Sequence, residues 1–389
     1  MKILMVLESE FPPDVRVENE IVALSEAGHE VHLACSTRKN RPEKDIFGKA
    51  IIHRKKISTL IYKSSVGCLK FPFYFNFWRK LIISIFQKEK FDIIHIHDLP
   101  LSIIGAEIKK KFNTRLVIDL HENWPALIKT AAHTQTLPGR LLSSNKQWVE
   151  YEKKMLQNAD LVITIIEEAR DRVINLGIDP GRVCIVSNTI NFENLSIYPK
   201  TRDDKTFVIF YGGAINRHRG LQLVLNAIKL NREKNIDVIL WIVGDGSFRK
   251  TLEELTESLH ISSQVKFYGH KPFNELLNIL ADSDVAIIPH IRTDNNDASS
   301  PNKLYQYMYL DKPIIASDCI SLKRIINETK TGFIYKHDSV EDLASLIEKL
   351  HNDKSLLNAL NGNGKRAVIE KYNWNTDSQR LVDAYRQLL

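Results

Sequence analysis

The segment Ser300-Pro301-Asn302-Lys303-Leu304-Tyr305-Gln306 combines the residue types best suited to gripping an anion. Pro301 suits the first position of a helix, with Ser300 as its N-cap. A helix starting there aims free N–H groups and the positive end of its dipole outward, and Lys303 adds a full charge from the first turn. A departing phosphate, whose negative charge grows as its bond breaks, is stabilised by such equipment. A capped surface helix with a solvated lysine uses the same residues, so the segment alone leaves both readings open.

Two other clusters invite a metal. Asp282-Ser283-Asp284 spells D-x-D, a pattern that binds divalent ions, but it joins a helix to a buried strand, where turn and capping roles suit it better. In His95-Ile96-His97-Asp98, alternation puts both histidines on one strand face, yet no third and fourth ligand of suitable spacing accompanies them. It reads as a strand end at a cleft, with His97 touching a bound molecule. No essential metal or other cofactor is expected. Val243-Gly244-Asp245-Gly246 closes a strand ahead of a helix without forming G-x-G-x-x-G.

These residues need a scaffold, and the chain of 389 residues is long enough for two domains. Strands are expected at 2–7, 30–35, 92–96, 115–119, 160–164 and 182–187, with helical period between them, as in 15–27 and 146–157. The alternation restarts with strands at 206–212, 236–243, 264–268, 284–289 and 313–316 and a helix from about Arg219. Such alternation implies α/β domains with parallel sheets covered on both faces. The boundary is expected within 188–205, where Asn188, Asn191, Asn194 and Pro199 break any period. Ligands of open parallel sheets bind outside the carboxyl ends of the strands.

With 43% apolar and 26% charged residues, the composition is that of an ordinary globular enzyme. The opening apolar run meets Glu8 and Glu10 at once, so it reads as a buried strand rather than a targeting segment. No run reaches the roughly 18 apolar residues of a transmembrane helix. Cys35, Cys68, Cys184 and Cys319 lack paired or metal-type spacing, as expected of free thiols in the cytoplasm. A net charge of +7 favours an anionic partner, and nucleic acid is not expected because no recognition motif is present. Residues 53–90 gather nine Lys and Arg against Glu89 around Phe71-Pro72-Phe73-Tyr74-Phe75-Asn76-Phe77-Trp78. Peripheral contact with an anionic membrane at the inner face of the plasma membrane, or with a lipid acceptor, fits this stretch. So does a helix packed on the core with solvated lysines.

Several segments together resemble family 4 of the retaining glycosyltransferases. They are Phe11-Pro12-Pro13-Asp14-Val15-Arg16, Asp92-Ile93-Ile94-His95-Ile96-His97-Asp98, Asp119-Leu120-His121-Glu122, Tyr211-Gly212-Gly213 with Arg219-Gly220, Val243-Gly244-Asp245-Gly246, and Ser300 to Met308 running into Lys312-Pro313. The resemblance spans nearly the whole chain. It implies the GT-B architecture: two doubly wound Rossmann-like domains with an interdomain cleft. Residues 1–195 would bind the acceptor, 196–372 the nucleotide sugar, and a helix at about 373–389 would cross back.

The resemblance also implies roles. Arg219 and Lys303 clamp the diphosphate, and His121 positions the transferred sugar without forming a covalent bond to it. Gly213, Gly244, Gly246, His270, Ser300, Pro301, Asn302, Leu304 and Gln306 line the donor, and Arg16, His97 and Glu122 face the acceptor. The chain departs from the family pattern in three places. Ala214 replaces a basic residue, with Arg217 as the substitute, and Ala298 (beside Asp297) and Gln306 replace two glutamates. Gln306 still donates and accepts hydrogen bonds but forms no charge-assisted bond to ribose. The activity implied is transfer of a hexose or related sugar from a UDP- or GDP-sugar to a glycan or lipid-linked acceptor in cell-surface polysaccharide synthesis. A sugar-nucleotide 2-epimerase, and a subunit that binds nucleotide sugar without turnover, are the competing readings.

Overall fold

The computed structural model describes residues 1–131, 134, 136–192 and 198–388. Two compact units divide it: Met1–Ser187 completed by Asn375–Leu389, and Asn188–Trp374. The change from one to the other falls after Ser187; Asn194 and residue 195, named in the expected boundary, lie outside the described residues.

In unit 1 the strands are β1 (Lys2–Leu7), β2 (Glu30–Thr37), β3 (Lys44–Phe47), β4 (Ala50–Lys56), β5 (Ile93–His97), β6 (Arg115–Leu120), β7 (Leu161–Thr164) and β8 (Val183–Ile185). They form one sheet in the order β3-β4-β2-β1-β5-β6-β7-β8, parallel throughout except for the β3–β4 pair. β3 and β4 were not expected. Lys55 and Lys56 end β4 exposed, so its basic composition hides a strand whose Ala50 and Ile52 are buried. Capping starts the helices: the Asp14 side chain accepts from Val17 N to start Val15–Glu26, and Ser144 and Gln147 form a capping box for Asn145–Asn158.

The basic, aromatic stretch is mostly a packed helix. Along Phe73–Phe86, Tyr74, Trp78, Leu81, Ile82 and Ile85 recur at helical spacing and are buried in the core of unit 1. Losing a ring as buried as Trp78 costs about 3–5 kcal/mol in such cores. The exposed large apolar residues nearby include Leu60, Tyr62, Phe71 and Phe73. No helix among the described residues is long and apolar enough to cross a membrane.

Unit 2 holds β9 (Phe207–Gly212), β10 (Val238–Val243), β11 (Val265–Gly269), β12 (Val285–Ile288), β13 (Ile314–Ser317) and β14 (Gly332–Tyr335), in the order β11-β10-β9-β12-β13-β14, all parallel. β14, only four residues long, is a further unexpected strand. In both sheets the strand order reverses at one place, between β1 and β5 and between β9 and β12. The crevice outside the carboxyl ends of the strands at such a reversal is where doubly wound sheets bind ligands.

Candidate functional site

In unit 2 the loops leaving β9 and β12 bring cations to the reversal. After β9 the chain turns through Gly213 (φ 130°) into a 3-10 turn, Arg217–Arg219, ended by Gly220 (φ 77°). A Cβ on Gly220 would stand 1.7 Å from the Pro289 carbonyl oxygen, and Ile291 N donates to His218 O. The turn is thus pressed against the chain leaving β12, and Arg219 Nη1 lies 3.0 Å from His290 Nε2. Lys303 reaches in from the helix Asn302–Tyr309. Its Nζ stands 3.8 Å from the centroid of the Tyr211 ring and 2.9 Å from where a Gly213 Cβ would be. This amino group is buried without a hydrogen-bond partner among the described residues.

Charge explains what such a cluster can do. Burial, then Arg219, pushes Lys303 well below the usual lysine range. Burial, Arg219 and Lys303 push His290 far down as well, and His218 falls to about 4 for the same reasons. No carboxylate counters any of these shifts. Buried cations without a counter-charge are costly, and a bound anion removes that cost.

Several expectations need correcting. The helix starts one residue late: Pro301 is its N-cap, Asn302 its first residue, and Ser300 Oγ accepts from the Tyr305 hydroxyl (2.9 Å) instead of capping. Leu304 belongs to the core, with its N–H donating to Pro301 O, so it packs rather than faces a ligand. Arg219 precedes the helix Leu221–Glu233 rather than opening it.

Gly244 and Gly246 serve backbone packing. A Cβ on either would meet the carbonyl oxygen of Gly213 (2.0 Å) or Ile215 (2.3 Å), so only glycine lets these turns close on each other. Gln306 is half-buried one turn beyond Asn302, while Arg217, His270 and Asn302 are exposed. Asp297 accepts from Arg292 and from Ile320 N, and Asp282 and Asp284 hold the 200–208 segment through Thr201, Arg202 and Val208 N.

In unit 1 the reversal carries a buried ionic network. Arg16, expected to meet a ligand, is committed inside the unit. Its Nε and Nη2 donate to Asp119 (2.8 and 2.6 Å), Nη1 donates to Val186 O, and Glu20 lies 3.1 Å away. Glu20 and Asp119 also supply the third and fourth groups that the sequence left unfound beside His95 and His97. Their ligand atoms all lie within 4.8 Å of one another. The Arg16 guanidinium already faces both carboxylates, keeping Asp119 well below the usual range despite burial, while burial and Asp119 push Glu20 up.

His121 sits above this network, its Nε2 2.8 Å from Asp119 and its Nδ1 3.5 Å from Asp98. Burial works against its charge, but Asp98 and Asp119 outweigh it and raise His121 to about 9, so it is an imidazolium at neutral pH. His97 Nδ1 lies 3.2 Å from His121 Nε2. His97 and His121 line a polar hollow of about 380 Å³ with Glu8, Glu10, Asp98 and Arg38, whereas Glu122 is exposed. A larger hollow of about 1530 Å³ lies at the amino-terminal edge of the same sheet, near Met1 and Lys109 and away from these groups. Asp119 and Tyr211 stood in the segments that carry the resemblance but were given no role, and His290 was not singled out from sequence. The position of His290, just past a strand's carboxyl end, was the available signal.

Two family profiles match the chain: "Glycosyltransferase Family 4" over residues 14–194 and "Glycosyl transferases group 1" over 196–367. The capsular polysaccharide biosynthesis glycosyltransferase CapM of Staphylococcus aureus is 23% identical over 251 residues, 61% of this chain and 64% of that one. Among solved structures, sucrose-phosphate synthase from Thermosynechococcus elongatus superposes with a TM-score of 0.80 at 19% identity, covering 100% of this chain and 98% of that one. Anabaena HepE in complex with UDP gives a TM-score of 0.71 at 15% identity, covering both chains fully.

Proposed function

Since the chain belongs to the group 1 glycosyl transferases and has the GT-B fold, we propose that it transfers a hexose or related sugar from a UDP-sugar, with retention, to a glycan or lipid-linked acceptor of a cell-surface polysaccharide. The observation that carries the reading is the buried, partnerless Lys303 amino group beside Arg219, Tyr211 and Gly213. A diphosphate there restores the charge of Lys303 and receives the N–H groups at the start of the helix Asn302–Tyr309. UDP is favoured over GDP because HepE, a protein of the same fold, holds UDP. CapM, by its name a capsular polysaccharide enzyme, supports the acceptor class.

In this reading the C1–O bond to the diphosphate breaks as the acceptor hydroxyl attacks on the same sugar face, and the leaving phosphate takes the hydroxyl proton. The imidazolium of His121 binds a sugar hydroxyl or phosphate oxygen and does not act as a nucleophile. Gln306 contacts the ribose. No divalent metal is required, since Lys303, Arg219 and the helix terminus supply the positive charge. Unpaired cysteines suit the reducing cytoplasm.

A thermal-shift series with nucleoside diphosphates tests this, because a ligand at 100-fold its Kd adds about 2.7 kcal/mol. UDP is expected to raise Tm in the presence of chelator, and Lys303→Ala and Arg219→Ala each to remove most of the rise. Unchanged shifts in both variants would falsify the diphosphate assignment. A shift that vanishes with chelator would overturn metal independence, and isomerisation of free UDP-sugar without acceptor would favour an epimerase.

A further inference from the structure

His290 has no part in the transfer chemistry described above, yet it stands inside the basic cluster of unit 2. Pro289 separates it from Ile288, the last residue of β12. The residue is 2% exposed. Its backbone is held from two sides: the Pro289 carbonyl presses on Gly220, and His290 O accepts from Cys319 Sγ at 3.7 Å. Arg219 Nη1 lies 3.0 Å from Nε2 of the ring. A guanidinium only donates, so Nε2 carries the lone pair and the proton of the neutral imidazole sits on Nδ1.

Among the described residues this contact is the only side-chain hydrogen bond of Arg219, and no carboxylate pairs with it. Ala214 stands where the resemblance implies a second basic residue, so the aim of Arg219 matters more here. A carboxylate would fix the guanidinium equally well, but its charge would oppose the one a diphosphate brings. A neutral acceptor holds the fork and leaves its full charge for the ligand. Burial and the facing groups Arg219, Lys303 and His218 all oppose a second proton on the ring, so it stays neutral.

We infer that His290 is a positioning residue for the transfer: its Nε2 lone pair turns Arg219 toward the diphosphate without neutralising it. The inference rests on the diphosphate reading of the same cluster. His290 acts through Arg219, not by contact with sugar or phosphate.

Equilibrium dialysis with labelled UDP across a set of variants tests this. His290→Leu removes the acceptor and is expected to weaken UDP about 10-fold, the size of one lost hydrogen bond to a charged group. His290→Gln, whose amide oxygen can accept at the place of Nε2, should stay within about 3-fold of wild type. His290→Asp also accepts but brings a negative charge, and should weaken UDP at least as much as His290→Leu. In the Arg219→Ala background His290→Leu should cause no further loss, whereas a merely structural role would give the same loss in both backgrounds. On the ligand-free wild type, long-range proton–nitrogen NMR spectra should show His290 as the Nδ1–H form between about pH 6 and 8, its signal identified by absence in His290→Gln. That spectrum decides the matter even where His290→Leu does not fold. Additive losses in the double variant, a loss in His290→Gln equal to that in His290→Leu, wild-type affinity in His290→Asp, or a proton on Nε2 each overturn the inference. Failure of UDP to bind the wild type sinks the diphosphate reading; UDP that binds while Nε2 is protonated sinks only the role of His290.

Discussion

Lys303 is an amine kept where water does not reach, and its protonation should therefore be coupled to ligand. Its folded pKa lies well below the usual lysine range, so a bound diphosphate raises it and binding takes up protons. Calorimetry of UDP binding in two buffers of different ionisation enthalpy is expected to show this uptake, with affinity falling as pH rises, and Lys303→Met is expected to abolish it. Uptake of the same size in the variant would reassign the proton. His121 has the opposite sign. Its pKa is raised to about 9 by Asp98 and Asp119, so its stabilising contribution is complete below about 6.5 and is lost as pH climbs through about 9. Urea melts of wild type and His121→Gln should converge over that window and differ below it; a constant gap across pH would refute the imidazolium. Lys303 and His121 were legible from motif and position. The fate of Arg16 was not, because Asp119, its main partner, comes from a strand 103 residues further on. Sequence shows the charge on Arg16 but not that the fold has already neutralised it.

Elements that present these side chains depend on a few backbone approaches. Gly220 combines a left-handed φ of 77° with a carbonyl 1.7 Å from its absent Cβ, whereas Gly28, at φ 86°, faces open space. Gly28→Ala should cost only its backbone strain, roughly 1–2 kcal/mol. Gly220→Ala should exceed that and also weaken UDP binding, since the turn holding Arg219 must leave Pro289. Denaturant melts and UDP titrations on both variants check this; equal costs with unchanged UDP affinity would mean the close approach is unimportant. Strands with continuous apolar runs, such as Ile93-Ile94 and Val285-Ala286-Ile287-Ile288, were plain in the sequence because both sheet faces are covered. β3, β4 and β14 were not: they lie toward sheet edges, are short or basic, and are only partly buried. The helix start at Pro301 was misplaced by one residue because Ser300 spends its hydroxyl on Tyr305, a tertiary contact that local preference does not encode.

The whole molecule carries +7, and unit 1 exposes Leu60, Phe71 and Phe73 among the lysines of 55–70. Apolar tips fringed by cations suit shallow seating on an anionic bilayer, each basic residue near the surface adding about 1 kcal/mol. Sedimentation with vesicles should show binding to phosphatidylglycerol but not to phosphatidylcholine, lost at high salt and in Leu60→Asp/Phe73→Asp. Equal binding to both lipids would exclude the electrostatic part. Two repeating α/β alternations made the two-unit plan legible. Which unit owns the last helix was implied only by family resemblance. That helix, Trp374–Arg386, lies almost wholly in unit 1, where the Tyr385 hydroxyl stands 2.6 Å from His95 Nδ1 at the buried network. Translation therefore finishes the second half before it delivers the piece that seals the first. Until then His95 Nδ1 lacks its tyrosine partner, so unit 1, although synthesised first, is the half completed last.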